Sequence, residues 1–412
     1  MPRAPGSLHL PAIIGPFVTL GLVYGVWYSY SVLLVALVKE FAWPRALAAG
    51  AFSLFVLVHG AAGPLVGRLV ETLGTRLVIV SGAISLAAGL LLASQTRAWW
   101  HLYIAFGVIA AAGTCATGWV PAVTIVRRWH PERFGTAVGI ASAGTGVGIV
   151  AVVPATQLLI TAVGWRWALC ALAAAILIWV LSAVRWFARD PVRDPERRHT
   201  ISQAPSRDAG HWTLAMALRS WRFWGVGLVF LAGSTATQTL LVHQVAYLVD
   251  KGVAALVAAT VVSVVGLASI AGKISWGTLA DHAGSEVAFT LSSLCVVAAI
   301  GILALTSDAA PFLAYLYAVL MGVGYASSAP LPPAVVGHLF RGPHFASIFG
   351  ALQPATSVGS AMGAWAAGSI FDRTGSYALA LVLAAIIAAL APVLLWVVAP
   401  RRPHPPPGAG PR

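Results

Sequence analysis

The sequence predicts an all-α integral membrane protein with twelve transmembrane helices in two six-helix halves. The composition, a series of long apolar runs and a polar turn that occurs twice support this prediction. Apolar residues make up 59% of the 412 residues and charged residues only 9%, whereas an average soluble domain has about 25% charged residues. So few charges cannot cover the surface of a soluble protein of this length, so we expect the chain to lie in a bilayer.

Twelve apolar runs have the length of a membrane-spanning helix, which is about 20 residues. The first run is too long for the core of a signal peptide and has no small-residue cleavage site, so we count it as a retained span. The predicted spans cover residues 12–38, 46–66, 77–95, 99–125, 134–161, 166–187, 222–249, 254–279, 287–306, 311–336, 345–370 and 376–399.

The longest polar segment separates the sixth predicted span from the seventh and is rich in proline, arginine and aspartate. We therefore predict four parts of the chain. They are an N-terminal six-helix bundle (1–187), a linker (188–221), a C-terminal six-helix bundle (222–399) and a tail (400–412).

The arginines indicate how the chain is oriented in the membrane. Most of those in loops fall on the side that holds both termini and the linker, among them Arg68, Arg76, Arg127, Arg128 and Arg341. The positive-inside rule therefore places both termini in the cytoplasm, as expected of a multi-pass protein of the plasma or inner membrane. The net charge of +13 is scattered through short loops and forms no basic stripe, so we expect no nucleic-acid partner.

A polar turn, "GRLVETLGTR" at 67–76, returns as "GTLADHAGSE" at 277–286. The copies follow the second span of each half, so the chain is predicted to be a duplicated six-helix unit with parallel halves. This arrangement is typical of transporters whose binding site lies between the halves.

Each copy of the turn has three features that suit a close contact at a helix end. An opening glycine allows close helix approach, an acid can accept hydrogen bonds from a helix N-terminus or an arginine, and a closing glycine permits a positive φ. The residues are Gly67, Glu71 and Gly74, followed by Arg76, in the first copy, and Gly277, Asp281 and Gly284 in the second.

Lys273 is the main candidate for substrate binding. The acidic residues lie in loops or at predicted helix ends, whereas Lys273 lies inside the eighth span. A buried cation without a carboxylate attracts an anion, because an unpaired buried charge is costly. The alternative is that Lys273 extends to the membrane surface.

Other polar side chains inside the spans are weaker candidates for the same pocket. His243 can donate to a carboxylate or carry a proton, or it can be an interfacial histidine with ordinary hydrogen bonds. We expect His59 to pack, or to bond within span two. Tyr325 is favoured because it lies in a glycine-rich stretch, although most tyrosines and tryptophans in such chains are interfacial. The remaining candidates are Tyr24, Tyr28, Thr117, Trp119, Gln238 and Gln353.

The first copy of the turn resembles the loop motif of the major facilitator superfamily, with Glu71 where aspartate is usual and Arg76 in the basic position. Other segments are similar to the bacterial monocarboxylate transporter and oxalate–formate antiporter group. They are "EFAWPRA" (40–46), "RRWHPERFGTAVGIASAGTGVGIVAVVP" (127–154), "GWRWA" (164–168), "HQVAYLVDKGV" (243–253), "GVGYASSAPLPP" (322–333) and "GSIFDRTGSY" (368–377).

The resemblance implies the major facilitator fold of two pseudo-symmetric bundles. It also implies that the repeated turn is a gating loop that latches the halves together; the alternative is that the turn serves only topology and packing. The second copy ends in Ser285 and Glu286 where basic residues are usual, which predicts a weaker latch there. Lys273 stands where the resembling group usually has an arginine that binds the substrate carboxylate. Ser269 stands where proton-coupled members have an acid, so we expect weak pH dependence unless a histidine substitutes.

The sequence therefore predicts a monomeric secondary transporter that moves a small organic anion, a monocarboxylate, by alternating access. Its partners are the anion, a proton or counter-anion, and membrane lipid; no cofactor or metal is expected. One alternative is an exporter of drugs or of other neutral or cationic metabolites, which we disfavour because such carriers commonly use a buried acid. Another is a carrier-derived membrane sensor without flux. An enzyme is not expected, because no catalytic set lies within the spans.

Overall fold

The computed structural model describes residues 9–43, 45–188, 212–253, 255–307 and 312–399. All regular secondary structure in these residues is helical, which confirms the predicted all-α class. We number the twelve long helices in chain order. They are α1 Pro11–Phe41, α2 Arg45–Thr72, α3 Thr75–Ser94, α4 Trp99–Trp129, α5 Phe134–Val163, α6 Trp165–Phe187, α7 Trp221–Asp250, α8 Ala255–Ala283, α9 Ser285–Leu305, α10 Phe312–Leu339, α11 Phe345–Thr374 and α12 Ala378–Val398.

Within the described residues, eleven of these helices are long and apolar enough to cross a membrane. The exception is α11, whose serines, threonines, glutamine and glycines lower its mean hydropathy. At 30 residues, α11 still exceeds the length that a bilayer requires. It packs lengthwise against α2 and α7 inside the bundle. The predicted twelve-helix architecture therefore includes one helix that hydropathy alone identifies poorly.

The helices extend beyond the predicted spans at the repeated turn. Helix α2 continues through Thr72 and α8 through Ala283, so most of each turn is helical. The chain reverses at Gly74 and Gly284, which have φ of 86° and 95°. Glycine adopts this left-handed region without a steric penalty, which allows a connection of one or two residues.

The predicted linker and tail lie largely outside the described residues. Residues 189–211 and 400–412 are in this category, so the predicted bounds of 188–221 and 400–412 stay predictions. The described end of the linker contains a short helix, Leu214–Arg219, and leads directly into α7.

The two halves repeat the same packing. Helix α1 packs along α5 as α7 packs along α11, and α3 packs on α6 as α9 packs on α12. The halves meet mainly through two pairs, α2 with α11 and α5 with α8. These pairs approach closely because glycines face the partner helix: a Cβ at Gly67 would collide with the carbonyl of Ala346, and one at Gly277 with the carbonyl of Gly135.

The fourth helix of each half is interrupted. Helix α4 contains a π-helical stretch, Tyr103–Ala110, and breaks at Gly118. Helix α10 breaks between Ala326 and Leu331, just before two prolines. Irregular backbone inside a membrane is tolerated where it is buried in protein or lines a cavity. Both interruptions are therefore markers of the protein interior.

Packing between the halves is concentrated at one end, which we call the latch end; it carries Glu71 and Asp281. The buried residues of α5 run from Phe134 to Gly148, with Thr156 beyond them. Farther along α5, Val150 and Leu158 are 58% and 70% exposed. The halves are thus in tight contact at the latch end, and this contact loosens toward the opposite end.

Candidate functional site

Lys273 joins the two halves from the middle of α8. Its side chain is 4% exposed, and its Nζ donates a hydrogen bond of 2.6 Å to Oγ1 of Thr145 on α5. Within the described residues no carboxylate lies within ion-pair distance of Lys273. The charge is therefore held in the protein interior by a neutral hydroxyl, which is a weak substitute for a counter-ion.

The direction of the Lys273 side chain decides between burial and extension to the surface. The backbone of Lys273 packs beside Gly139 of α5. Thr145 lies six residues beyond Gly139 and farther from the latch end, which is a rise of about 9 Å along the helix. The side chain thus points away from the nearest aqueous end and toward the middle of the bundle.

A group of tyrosines lies between the halves. The hydroxyl groups of Tyr28 on α1 and Tyr325 on α10, one from each half, lie close enough to interact. Tyr24 lies one turn from Tyr28; its ring lies against the break of α4 at Gly118 and is edge-on to His59. Although Tyr28 lies in the middle of α1 between the halves, it is 37% exposed, so this space is open.

Helix packing makes neighbours of the helices that carry the lysine and the tyrosines. Gly272 lets α8 pack against α10 at Val323, and Nε1 of Trp276 donates to the Val323 carbonyl at 2.6 Å. On the other side, Gly144 lets α5 pack against α1 at Phe17. The four helices α1, α5, α8 and α10, two from each half, therefore carry the tyrosine pair, Lys273 and its threonine partner.

His243 has a different environment within the C-terminal half. Its Nε2 lies 2.9 Å from the carbonyl of Ala364, and its Nδ1 lies 3.2 Å from the hydroxyl of Tyr377. A carbonyl can only accept, so Nε2 carries the proton and Nδ1 accepts from Tyr377. Burial, with added repulsion from Asp250 and Asp372, raises the pKa of Tyr377 and keeps this donor protonated. Both nitrogens of His243 are thus used by the protein.

The remaining predicted pocket residues are dispersed. Thr117 donates to the Gly113 carbonyl at 2.9 Å and packs against α3, inside the N-terminal half. Trp119 is half-buried against the apolar core. Gln353 faces Gly63 across the α2–α11 contact, and Gln238 is half-buried on α7. Within the described residues, no hydrogen bond links these four side chains to Lys273 or to the tyrosines.

Glu71 binds the opposite half at the latch end. One carboxylate oxygen accepts from the backbone N–H of Ser347 at 2.7 Å, and the other lies 3.0 Å from Nδ1 of His344. Because α11 begins at Phe345, the carboxylate sits on the N-terminus of that helix. The unpaired N–H groups and the helix dipole both favour a negative charge there.

Asp281 makes the symmetry-related contact. Its two oxygens accept from the backbone N–H groups of Gly135 and Thr136, both at 2.7 Å, at the N-terminus of α5. Arg76, the basic residue of the first copy, lies exposed on the first turn of α3. The acids and the opening glycines of the repeated turn, Gly67 and Gly277, therefore contact the opposite half. The basic residue Arg76 does not contribute to this contact among the described residues.

Sequence reasoning missed two side chains of this arrangement. Thr145 is one of several hydroxyl residues in a glycine-rich helix, and no sequence signal distinguishes it from Ser142. His344 could have been suspected, because it directly precedes a predicted span and therefore occupies a helix N-terminus. Its pairing with Glu71 depends on a contact between residues 273 positions apart.

The sequence model of the Major Facilitator Superfamily matches residues 17–319. This chain belongs to the Major Facilitator Superfamily. The resemblance drawn from the repeated turn is thereby confirmed, and with it the expectation of a transporter rather than an enzyme.

Among curated proteins, this superfamily member is similar to monocarboxylate transporters. It is 29% identical to Monocarboxylate transporter 13 of Bos taurus over 379 residues, covering 90% of this chain and 85% of the relative. It is 26% identical to Monocarboxylate transporter 11 of Mus musculus, covering 88% of this chain and 80% of the relative.

Solved structures agree on the fold. The E. coli fucose:proton symporter superposes with a TM-score of 0.70 at 16% identity, covering 94% of this chain and 99% of the symporter. A second structure of that transporter, described as outward, gives a TM-score of 0.67 at 16% identity, over 95% and 100% of the two chains. The major facilitator fold predicted from the sequence is therefore confirmed.

Proposed function

We propose that this multi-pass transporter carries a small organic anion, a monocarboxylate, and that Lys273 binds its carboxylate. The observation that carries the proposal is a buried lysine between the halves whose charge, within the described part of the chain, is met only by the hydroxyl of Thr145. Similarity to monocarboxylate transporters over most of the chain supports the same substrate class.

The chemistry of the pocket fits an anion with one carboxylate. Thr145 accepts from the Lys273 ammonium in the structure; a bound carboxylate would replace this weak partner with a full counter-charge. The hydroxyls of Tyr28 and Tyr325 can then donate to the substrate from opposite halves. Ligands drawn from both halves favour closure of the bundle around the anion, because the closed state has more contacts to offer.

Alternating access follows from the contacts at the latch end. Under the positive-inside rule we place this end on the cytoplasmic side of the plasma or inner membrane. We also propose that the protein acts as a monomer. The described state, tight at the latch end, then corresponds to a cavity that opens outward. Transport requires the contacts of Glu71 and Asp281 to break while a contact forms at the outer end.

A ligand screen on the detergent-purified chain tests the proposal. We expect one or more short monocarboxylates in a panel that includes lactate, pyruvate and butyrate to raise the unfolding temperature, since a ligand of the folded state stabilises it. The neutral amide of the same acid is the matched control and should have no effect. The active carboxylate should also support counterflow in proteoliposomes.

Three outcomes would contradict the proposal. Stabilisation by organic cations but by no carboxylate would indicate an exporter of drugs or cationic metabolites. Equal stabilisation by the acid and its amide would remove the role of the charge. Binding of a carboxylate without counterflow would indicate a membrane sensor.

A further inference from the structure

Arg127, on the last turn of α4, reaches from the N-terminal half to the C-terminal half at the latch end. Its guanidinium carbon lies 4.1 Å from the ring centre of Phe345, the first residue of α11. The same ring meets Phe134 of α5 edge-on and stacks on Phe349. The arginine is therefore part of the closed contact between the halves.

The guanidinium of Arg127 is incompletely bonded. Its NH1 nitrogen is buried and has no hydrogen-bond partner among the residues that the structure describes. The Phe345 ring interacts with the face of the guanidinium. The N–H groups of the guanidinium point outward in its plane and need acceptor atoms. Leaving a buried donor of a charged group without a hydrogen bond costs free energy. An acceptor atom at this position would remove that cost.

A second arginine lies near the first. Arg341, in the loop between α10 and α11, lies close enough for its charge to repel that of Arg127. Its loop is anchored, because the Arg341 carbonyl accepts from the N–H of Trp212 at 3.1 Å. Within the described residues neither arginine has an ion-pair partner. Closing the latch end thus brings two like charges together, one from each half.

We propose that the latch end contains a second anion site, in which Arg127 and Arg341 bind a small oxyanion such as a phosphate group. Several acceptor oxygens on one anion can satisfy the free Arg127 nitrogen and offset the repulsion between the arginines. Because the arginines belong to different halves, a bound anion stabilises the state that is closed at the latch end. The site is separate from Lys273 and does not depend on the proposed substrate.

Inorganic phosphate is the probe that tests the site. We expect phosphate, compared with chloride at equal ionic strength, to raise the unfolding temperature of the detergent-purified chain. Arg127→Gln and the exposed Arg341→Gln should each raise the half-saturating phosphate concentration about tenfold or more, as expected for the loss of a charge-assisted contact. Arg128→Gln is the matched control, because Arg128 donates to Thr75 within its own half.

The controls separate this site from the proposed substrate site. The phosphate response should persist in Lys273→Gln, so loss of carboxylate binding and loss of phosphate binding are independent results. If Arg127→Gln does not fold, Arg341→Gln carries the test. No response in the wild-type chain, or equal responses in wild type, Arg127→Gln and Arg341→Gln, would overturn the proposal.

The phosphate group could come from a lipid, and a second arm distinguishes this source. The protein is reconstituted without free phosphate, and its unfolding temperature is compared in vesicles with and without phosphatidic acid. Stabilisation by the lipid alone, abolished by Arg127→Gln and Arg341→Gln, assigns the site to a lipid head group and keeps its chemistry. Stabilisation by free phosphate, abolished by the same variants, assigns it to a soluble anion.

Discussion

At the scale of single residues, partners decide which buried polar groups can bind a ligand. Lys273 has one hydroxyl partner between the halves, whereas His243 has both nitrogens bonded within one half. Both residues were candidates from sequence because each lies inside an apolar span. The sequence identifies such residues because a polar or ionisable side chain inside a membrane costs free energy. It does not show what these side chains contact.

Thr145→Val removes the only described partner of the Lys273 ammonium while keeping the side-chain shape. We expect the ligand-free protein to lose about 1–3 kcal/mol of stability, because a buried donor is left unsatisfied. Unfolding temperature without ligand measures this, with Thr161→Val, exposed on the same helix, as the control. An unchanged unfolding temperature in Thr145→Val would show that the bond does not hold the lysine.

His243 and Tyr377 act as structural residues in this account. We expect His243→Gln and Tyr377→Phe to lower stability by about 1 kcal/mol through the lost hydrogen bonds, while the half-saturating concentration of the active carboxylate stays unchanged. Thermal unfolding and ligand titration on the same preparations measure both quantities. Tenfold weaker carboxylate binding at unchanged stability would instead place His243 in the pocket.

At the scale of helices, the repeated turn works through its acids and glycines. The sequence predicted a weaker second latch because that copy ends in Ser285 and Glu286. In the structure, Asp281 accepts two backbone N–H groups, as many donors as Glu71 meets. The basic residue after the closing glycine is exposed, so its presence in only one copy leaves the closed contact intact.

The variants Glu71→Gln and Asp281→Asn should each destabilise the closed latch end. Loss of a charged helix cap costs about 0.5–2 kcal/mol, which shifts the closed population about 2- to 30-fold. Spin-label distances between exposed positions Thr72 and His282, one in each half, measure the opening. Arg76→Gln is the control and should leave the distances unchanged. A response to Glu71→Gln but none to Asp281→Asn would mean that the second latch is weak after all.

The number and order of the helices were predictable because a long apolar run in a bilayer forms a membrane-spanning helix. The interruptions were not, since a π-helical stretch such as Tyr103–Ala110 has the same composition as an α-helix. Helix ends were also misjudged at the repeated turn. Glu71 and Asp281 are polar, so a hydropathy window ends before them, yet both acids lie within the last turn of a helix.

At the scale of the whole molecule, Ser269 replaces the acid that a proton-coupled relative is expected to carry. Ser269 is 3% exposed and donates to the Gly266 carbonyl at 2.7 Å. With no carboxylate beside Lys273 in the described residues, we expect uptake of the active carboxylate to respond little to an imposed pH gradient. Proteoliposome uptake with and without the gradient measures this; acid-driven accumulation would contradict it.

The two-half architecture followed from the repeated turn, and the assembly of the pocket did not. Tyr28 and Tyr325 lie about three hundred positions apart in the sequence, so only the packing of the two halves brings their hydroxyls together. The same packing joins Lys273 to Thr145. The sequence can therefore predict that the site lies between the halves, but not which residues form it.

The central claim, that Lys273 binds the substrate carboxylate, is tested most directly by titrating the active carboxylate into Lys273→Gln and Lys273→Arg. Loss of one side of a buried charge pair costs about 2–5 kcal/mol, or roughly a 30-fold to several-thousand-fold loss of affinity. We expect that loss in Lys273→Gln at unchanged monodispersity, and retention of most binding in Lys273→Arg, which keeps the charge. Near-wild-type affinity in Lys273→Gln would contradict the claim.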